Sequence, residues 1–487
     1  MYSPTNEIAE SLSAKGYGAI PVSRTVLADV RTPIEVLRTL MGVDMHCYIL
    51  ESVENRQRWG RYTFLGFDPV LDIVCSNGRT EIRENENTEI LEGDPTEAIM
   101  HVLSRFKSPR IECMPPFTGG LVGYFSYDYI KYAEPSLRIE SSDDEGFKDA
   151  DLMLFDKVIA FDNLRQTITV IVNMIPGRRG YEGTCRLIDD VVDLIKRGEP
   201  DHHIPLQLKS DFKPMHSKER YCEMVETAKD RIREGDIFQV VLSNRLEAEM
   251  DGSLLDVYRI LRTTNPSPYM FYFSGSDIEV AGASPETLVK LRDGVLHTFP
   301  LAGTRPRGRT DEEDERLERE LLLDEKELAE HNMLVDLGRN DIGKVSEFGS
   351  VEVEKYMGIE RFSHVMHIGS TVRGEIRDDR DALDAIEAVL PAGTLSGAPK
   401  IRACQLIGEL ENNKRGIYGG AIGYIDFTGN MDTCIAIRIA YKKNGRVFVR
   451  SGAGIVADSV PETEYQECIN KAKAVVSALT LAQEEDL

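Results

Sequence analysis

Two pairs of glutamates have the spacing of metal ligands on helices. Glu327 and Glu330 lie three residues apart in a strongly helical run, and Glu464 and Glu467 repeat this spacing near the C-terminus. Residues three apart share one face of a helix. Two such helices facing each other would offer only oxygen ligands, which suit Mg²⁺ that keeps several waters for a substrate to displace. The alternative for either pair alone is a solvated helix face.

A glycine run just before the second glutamate pair favours a functional site. Gly452, Ala453 and Gly454 belong to the sequence Ser-Gly-Ala-Gly-Ile-Val that starts at position 451. Glycines let backbone amides approach a carboxylate closely. The run and the glutamates together predict an anion site beside a metal.

Two histidines and one arginine are candidates for proton transfer and substrate binding. His364 and His367 are three apart, which is too little for zinc without a third nitrogen or sulfur ligand. One of them could act as acid or base, and the alternative for either is a buried structural role. Arg438 stands in an apolar run, 434–440, that predicts a strand. A guanidinium there needs a partner carboxylate, and a substrate could supply it.

The elements that must position these residues follow a mixed helix and strand pattern. From about residue 20 to 175, short β-rich runs alternate with turn residues, whereas residues 199–216 lack either period, as expected of a connector. Residues 217–234 then predict a capped amphipathic helix. We therefore predict an N-terminal region over residues 1–200 and a second, α+β region over residues 215–475.

One short pattern occurs once in each region. Gly-Gly-apolar-apolar-Gly-Tyr is found at 119–124 and again at 419–424. A duplicated architecture would produce such an echo, although a single hexapeptide does not establish one.

The composition excludes several classes of partner. A chain with 41% hydrophobic and 29% charged residues is expected to be globular rather than disordered. Its formal net charge of −24 repels phosphate backbones and anionic lipid, so we expect neither nucleic acid nor a membrane as the main partner. The sequence shows no secretory signal or spanning apolar run, and its eight cysteines are scattered. These features predict a cytoplasmic protein with reduced thiols.

Six segments of the second region resemble the family of chorismate-using synthases. The segments are 236–241, 301–307, 327–341, 390–400, 418–424 and 451–473. The resemblance implies an α+β fold, in which large antiparallel sheets pack together with helices outside. It also implies a Mg²⁺ enzyme in which Glu330 and Glu467 hold the metal, with Glu327 and Glu464 in support, and the metal grips the ring carboxylate of chorismate.

The same resemblance assigns residues to the substrate and to the chemistry. His367 would act as acid or base, and Thr394 would position the reacting ring. The implied chorismate contacts are Gly303, Thr304, Tyr418, Arg438, Gly452, Ala453, Gly454 and Lys471. They supply the local donors that an acidic protein otherwise lacks.

Two positions distinguish the branches of this family. Gln239 stands where branches that add water carry a lysine base, and a neutral amide does not activate water in that way. Ala302 stands where the aminodeoxychorismate branch carries a nucleophilic lysine. The resemblance therefore implies the anthranilate synthase branch, which converts chorismate and ammonia to anthranilate and pyruvate in tryptophan biosynthesis. The open alternatives are an aminodeoxychorismate, isochorismate or salicylate synthase, and a noncatalytic tryptophan sensor.

Two further segments, 49–52 and 265–271, resemble the feedback site of anthranilate synthases. The residues that would bind tryptophan are Glu51, Ser52, Pro268, Tyr269 and Met270. The alternative for the second segment is a proline-fixed turn that leads into a core strand. The presence of both segments favours a regulatory pocket.

The cysteines do not have the sequence context of a glutaminase nucleophile. None of the eight stands in a Gly-x-Cys-x-Gly elbow. We therefore expect a separate glutamine amidotransferase subunit that delivers ammonia within a hetero-oligomer. The alternative is an enzyme that uses free ammonia alone.

Overall fold

Two large antiparallel sheets form the centre of the fold. The structure is a computed structural model that describes residues 1–52, 60–137, 141–201, 203–362 and 365–484. Within these residues the strands, numbered in chain order, form one sheet of 13 and one of 12, and the named strands pair antiparallel. The predicted α+β fold, with large antiparallel sheets packed together and helices outside, is confirmed.

In spatial order from one edge to the other, the first sheet combines strands from both regions of the sequence. It consists of β1 (Ile20–Leu27), β10 (Thr167–Met174), β9 (Lys157–Asp162), β3 (Tyr62–Phe67), β2 (Cys47–Glu51), β14 (Tyr269–Ser274), β15 (Glu279–Ser284), β24 (Ile439–Lys443), β25 (Arg446–Ile455), β13 (Gln239–Asp251) and β11 (Gln207–Leu208), with β12 (Lys213–Pro214) and β21 (Gly397–Ala398) also paired to β13.

The second sheet and the helices complete the fold. The sheet consists of β18 (Leu301–Pro306), β20 (Val365–Glu375), β17 (Val295–Thr298), β16 (Thr287–Arg292), β23 (Met431–Ile435), β22 (Ala421–Asp426), β7 (Gly120–Phe125), β8 (Ala150–Phe155), β4 (Leu71–Ser76), β5 (Arg79–Glu84) and β6 (Asn87–Glu92), with β19 (Glu352–Arg361) paired to β20. The helices are α1 (Asn6–Ala14), α2 (Pro33–Met41), α3 (Pro95–Arg105), α4 (Ile130–Ala133), α5 (Tyr181–Arg197), α6 (Lys218–Arg233), α7 (Leu255–Thr264), α8 (Asp311–Leu322), α9 (Glu325–Gly343), α10 (Ala382–Val389), α11 (Lys400–Glu411) and α12 (Pro461–Glu484). None of these helices of the described chain is long and apolar enough to cross a membrane.

An aromatic layer lies between the two sheets. Tyr48 on β2 meets Phe155 on β8 edge to face, with ring centroids 4.7 Å apart, and Phe273 on β14 stacks on Tyr124 of β7 at 6.4 Å. Contacts of this geometry are favourable beyond the burial of area. Strands β7 and β8 are buried along their whole length because this layer covers one face and α3 and α10 cover the other.

Both sheets continue across the predicted boundary between the two regions. Strand β2 pairs with β14, and β7 pairs with β22 so that Gly123 faces Gly423. These two glycines belong to the repeated hexapeptide, and a side-chain carbon at either would lie 2.1 Å from a backbone oxygen of the next strand. Strands of the two regions therefore pair within the same sheets. The division of the chain into regions 1–200 and 215–475 stays a prediction.

Two local predictions are corrected by the structure. Residues 199–216 contain β11 and β12, because the long edge of β13 offers backbone groups that short segments can pair with. The predicted strand over 434–440 is wrong, since β23 ends in one sheet and β24 begins in the other. Arg438 lies on the crossing with φ +53°, in the left-handed region that a continuous strand does not use. The predicted helix over 217–234 is confirmed as α6, where the Ser217 hydroxyl caps the first turn.

Candidate active site and effector cavity

The two glutamate pairs lie on α9 and α12, whose carboxylates face each other. Burial raises the pKa of Glu330, and the neighbouring carboxylates of Glu327 and Glu467 raise it further. The pKa of Glu464 is raised in the same way by burial and by Glu467. Glu467 on α12 raises the pKa of Glu330 on α9, so the two carboxylates are close to each other. The structure thus brings together the four glutamates that sequence spacing had grouped in two pairs.

The donor set at this point fits a magnesium ion. No group of three His, Cys, Asp or Glu side chains converges as a complete metal cage within the described residues. Magnesium does not require one, because it is commonly held by one or two carboxylates, with water and substrate oxygens filling the other positions. Burial is the main cause of the raised pKa of Glu330, and repulsion from Glu327 and Glu467 adds to it, so a cation at this place would stabilise the ionised carboxylates. Glu330 and Glu467 are therefore suitable ligands.

Lys471 links the glutamates to the glycine run. Its ammonium lies 2.7 Å from a carboxylate oxygen of Glu467 and donates to the backbone oxygen of Gly452 at 3.2 Å. A side-chain carbon at Gly452 would lie 3.2 Å from the Tyr418 hydroxyl oxygen, so only glycine leaves this space open. The predicted substrate contacts Lys471, Gly452 and Tyr418 thus form one surface beside the acidic cluster.

The rest of the glycine run lies beside the glutamine that separates branches of the family. Ala453 is buried in β25, and Gly454 pairs with Val241 of β13. A side-chain carbon at Gly454 would stand 2.8 Å from the Gln239 amide nitrogen. A neutral amide, rather than an amine, therefore faces the site at this position.

His367 on β20 is held in one tautomer. Its Nδ1 lies 2.8 Å from the carbonyl oxygen of Gly303, which can only accept, so Nδ1 carries the hydrogen and Nε2 is left as an acceptor. The Thr304 hydroxyl is 3.2 Å from the same nitrogen. Burial lowers the pKa of His367, and the Arg438 guanidinium lowers it further, although the Gly303 bond opposes them. The imidazole is consequently neutral, and its Nε2 can accept a proton.

Thr394 is hydrogen-bonded to a carboxyl group that the sequence analysis missed. Its hydroxyl donates to Glu286 Oε1 at 3.0 Å from the 3-10 turn Gly393–Leu395. Burial raises the pKa of Glu286 to about 7, against the lowering effects of Thr394, Arg438 and Lys471. The only sequence signal for this residue is a glutamate after proline in an apolar run between β15 and β16.

Arg438 lies close to both groups that could transfer protons. Its guanidinium acts on the pKa of both His367 and Glu286. The chain leaves β23 at Ile435 and enters β24 at Ile439, and Arg438 lies on this crossing between the two sheets. The crossing brings its guanidinium close to His367 and Glu286. The other histidine of the sequence pair, His364, lies outside the described residues.

Sequence and structure comparisons identify the family of this chain. The sequence pattern of the chorismate binding enzymes matches residues 45–477. The chain belongs to the chorismate binding enzyme family. Anthranilate synthase component 1 of Acetivibrio thermocellus is 46% identical over 99% of this chain and 100% of its own length, and that of Aquifex aeolicus is 46% identical over 97% of both chains. The crystal structure of anthranilate synthase component I from Streptococcus pneumoniae TIGR4 is 41% identical, with a TM-score of 0.78 over 92% of this chain and 98% of its own.

The family match is wider than the resemblance seen in the sequence. It begins at residue 45, in the first region, because strands of that region complete both sheets of the chorismate binding fold. The predicted membership in this family, and in its anthranilate synthase component 1 group, is confirmed. The roles of single residues remain predictions, and the geometry above shows which of them lie together.

All five residues predicted to bind tryptophan line one cavity of this chorismate binding enzyme. The cavity has a volume of about 490 Å³, and β2 and β14 bring its two segments together by pairing Glu51 with Met270. Pro268, Tyr269 and Ser52 line it as well. The Ser52 hydroxyl oxygen is buried and has no hydrogen-bond partner among the described residues, so a ligand group or a water molecule could bond to it.

Two of the cavity residues are already engaged in the protein. Glu51 is paired with Arg262 on α7 and accepts a hydrogen bond of 2.5 Å from Tyr258. The Tyr269 hydroxyl donates to Asp432 at 2.8 Å and lies 2.9 Å from the Thr287 hydroxyl, the first residue of β16. Glu51 therefore fixes the wall of the cavity, and Tyr269 connects the cavity to the strand that follows Glu286.

Proposed function

We propose that this chain converts chorismate and ammonia into anthranilate, pyruvate and water. Its full-length similarity to anthranilate synthase component 1 supports this class of reaction. The single observation that carries the choice of product is the Gln239 amide beside Gly454. Water-adding enzymes need a base there, and neither that amide nor the methyl group of Ala302 can act as a base or as a nucleophile.

In the first half of the proposed reaction, ammonia replaces the ring hydroxyl. A carbon–nitrogen bond forms at one ring carbon while a carbon–oxygen bond breaks at another. Glu286, whose pKa of about 7 keeps a large share of it protonated near neutral pH, gives its proton to the departing hydroxyl, which leaves as water. The ammonium formed on the ring then loses a proton, which restores the acid. Thr394 holds the Glu286 carboxyl in place.

In the second half, the ring becomes aromatic as pyruvate leaves. Neutral His367 takes the proton from the aminated ring carbon at Nε2, because Nδ1 is committed to the Gly303 carbonyl. The ether bond between ring and side chain breaks, and the enolpyruvyl methylene carbon takes up a proton. Atoms and electrons balance without any oxidant.

Binding of the doubly charged substrate needs cations in an acidic chain. Arg438, Lys471 and the backbone amides of the run from Gly452 to Gly454 supply positive charge and donors, and the Tyr418 hydroxyl is close to that run. Gly303 and Thr304 would contact the substrate from the opposite side, where both lie next to His367. The substrate would thus lie between β18, β20 and β25.

The proposal includes a magnesium ion held by Glu330 and Glu467, with Glu327 and Glu464 in support. When bound, Mg²⁺ would supply positive charge to the ring carboxylate of chorismate. The repulsion among the carboxylates supports this assignment.

Tryptophan would regulate the enzyme from the cavity between β2 and β14. Ser52 offers a buried hydroxyl there that no other described residue bonds to, and Pro268, Tyr269 and Met270 offer an apolar and aromatic wall. Glu51 would contribute by fixing that wall through Arg262.

A second component and a reducing compartment complete the proposal. The relatives are named component 1, which supports a separate partner, here a glutamine amidotransferase subunit in a hetero-oligomer. The eight cysteines are free thiols, which suits the cytoplasm.

The test is to incubate the purified chain with chorismate, magnesium and an ammonium salt at neutral to mildly alkaline pH. Products are followed by fluorescence and mass spectrometry. Anthranilate together with pyruvate is the expected result. Isochorismate, salicylate or aminodeoxychorismate would overturn the inference from Gln239 and Ala302, and tryptophan binding without any product would indicate a sensor.

A further inference from the structure

A fully buried ion cluster lies behind the glycine run. Glu411, at the end of α11, accepts hydrogen bonds from Arg415 Nε at 2.9 Å and from Arg450 Nη2 at 3.0 Å. Each of these three residues is about 1% exposed. Ser243 on β13 donates to the same carboxylate from its amide at 2.7 Å and its hydroxyl at 3.0 Å. Charges so deeply buried are costly to desolvate, and a hydrophobic cluster of equal volume would often be as stable. Net stabilisation is therefore a weak explanation for this cluster.

Arg415 extends from this cluster to three segments of the candidate site. Its Nη1 donates at 2.6 Å to the carbonyl oxygen of Leu395, which directly follows Thr394. Its Nη2 donates to the Val241 carbonyl oxygen at 2.8 Å, opposite Gly454. The guanidinium also lies 5.9 Å from the ring centre of Tyr418.

We propose that Arg415 is a positioning residue that fixes the Thr394 turn and Tyr418 relative to the glycine strand. The inference rests on the proposed function, because it assigns a role in that reaction to a residue that touches no reacting atom. A planar guanidinium can donate in several fixed directions. Arg415 uses this geometry to donate four hydrogen bonds, two to Glu411 and one each to the carbonyl oxygens of Leu395 and Val241. A lysine would keep the charge beside Glu411 but has no fork to reach both carbonyl groups.

Two measurable effects are expected from Arg415→Lys. Loss of the bond to Leu395 should displace the Thr394 hydroxyl, and misplacement on the ångström scale can lower kcat by about 100-fold. The Thr394 bond also lowers the pKa of Glu286, so its loss should raise that pKa. Because Glu286 acts in its protonated form, the alkaline limb of kcat/KM should move to higher pH. The charged groups that face Glu286, Arg438 and Lys471, are unchanged in the variant.

The matched control is Arg179→Lys. Arg179 also joins a buried carboxylate, that of Asp156, to a main-chain oxygen, that of Asn173 at 2.8 Å. Asn173 lies on β10 and Asp156 directly precedes β9, and no bond of Arg179 to another described residue reaches the candidate site. This substitution should lower the melting temperature while leaving kcat within about twofold of wild type.

The experiment compares kcat, KM for chorismate, the pH profile and thermal unfolding in wild type, Arg415→Lys, Arg179→Lys and Thr394→Val. A folded Arg415→Lys with kcat lowered at least about tenfold, and with its alkaline limb shifted in the same direction as in Thr394→Val, supports the proposal. A loss confined to melting temperature, or an unmoved limb, overturns it. If the lysine variant does not fold, Arg415→Gln is measured by the same criteria, since Arg450 still pairs with Glu411. A wild-type chain that makes no anthranilate would instead refute the proposed function.

Discussion

Glu286 and His367 have opposite protonation tendencies because their surroundings differ. Burial raises the pKa of Glu286 to about 7, so this carboxyl group retains its proton in a range where exposed glutamates are ionised. Burial lowers the pKa of His367, so the imidazole stays neutral. Arg438 lowers both pKa values, yet it does not cancel the effect of burial on Glu286. One fold thus supplies an acid and a base near the same pH.

The acid is tested by Glu286→Gln. The amide keeps the size of the side chain and the bond to Thr394, but it cannot donate a carboxyl proton, so kcat should fall by about 10²- to 10⁴-fold. In the wild type, the protonated fraction falls as pH rises through about 7. With free ammonia held constant, kcat/KM for chorismate should decline above that pH, and this decline should be absent in the variant. An equal decline in both proteins would assign the limb to another group.

The metal assignment is tested by Glu330→Gln. Removing one carboxylate from the cluster should raise the Mg²⁺ concentration for half-maximal activity at least about tenfold, since even indirect changes around a metal have effects of this size. Titration calorimetry with Mg²⁺ gives a second measurement. The control is Glu312→Gln on α8, an exposed position that should leave the magnesium dependence unchanged. Unaltered magnesium dependence of Glu330→Gln would remove this residue from the metal site.

Local spacing explains which site residues could be predicted from the sequence. The glutamate pairs and the glycine run are patterns within one helix or one strand, and resemblance to a family identified His367 and Thr394. Glu286 was missed because its raised pKa comes from burial between elements, which a linear pattern does not contain. Arg438 was assigned to a strand because apolar alternation does not show where a chain passes from one sheet to another.

At the scale of elements, β16 and β23 connect the candidate effector cavity to the candidate active site. Tyr269 lines the cavity, and its hydroxyl lies 2.9 Å from that of Thr287, which follows Glu286 directly. Asp432 on β23 accepts from the same tyrosine at 2.8 Å and pairs with Lys290 on β16 at 2.5 Å. A ligand that moves Tyr269 would therefore act on β16, the strand that directly follows Glu286, the acid of the proposed reaction. This contact offers a physical route for feedback inhibition.

The effector cavity is tested by Ser52→Phe. The larger side chain should fill the cavity next to the end of β2, so the tryptophan concentration for half-maximal inhibition should rise at least about tenfold, with kcat retained. Ser52→Ala is the matched control, because it removes the hydroxyl group without adding volume and should have a smaller effect. Inhibition of the phenylalanine variant at wild-type tryptophan concentrations would exclude this cavity as the regulatory site.

At the scale of the whole molecule, both sheets draw strands from both ends of the sequence. Pairing of β2 with β14 and of β7 with β22 means that the first region completes the sheets on which the site is built. The fold class could be predicted from the family resemblance, whereas this interleaving could not, because strand partners distant in sequence leave no local periodicity. The connector over 199–216 was predicted without strands for the same reason.

The source of ammonia is also a property of the assembly rather than of one site. The sequence places none of its cysteines in a glutaminase elbow, so the chain alone should make anthranilate from an ammonium salt and not from glutamine. Adding a glutamine amidotransferase subunit should restore the glutamine-dependent reaction and leave the ammonium-dependent reaction in place. A partner with its nucleophilic cysteine replaced by alanine is the control, because it can bind without releasing ammonia. If the lone chain used glutamine, the nucleophile would have to lie within it, and the proposed division between two components would be refuted.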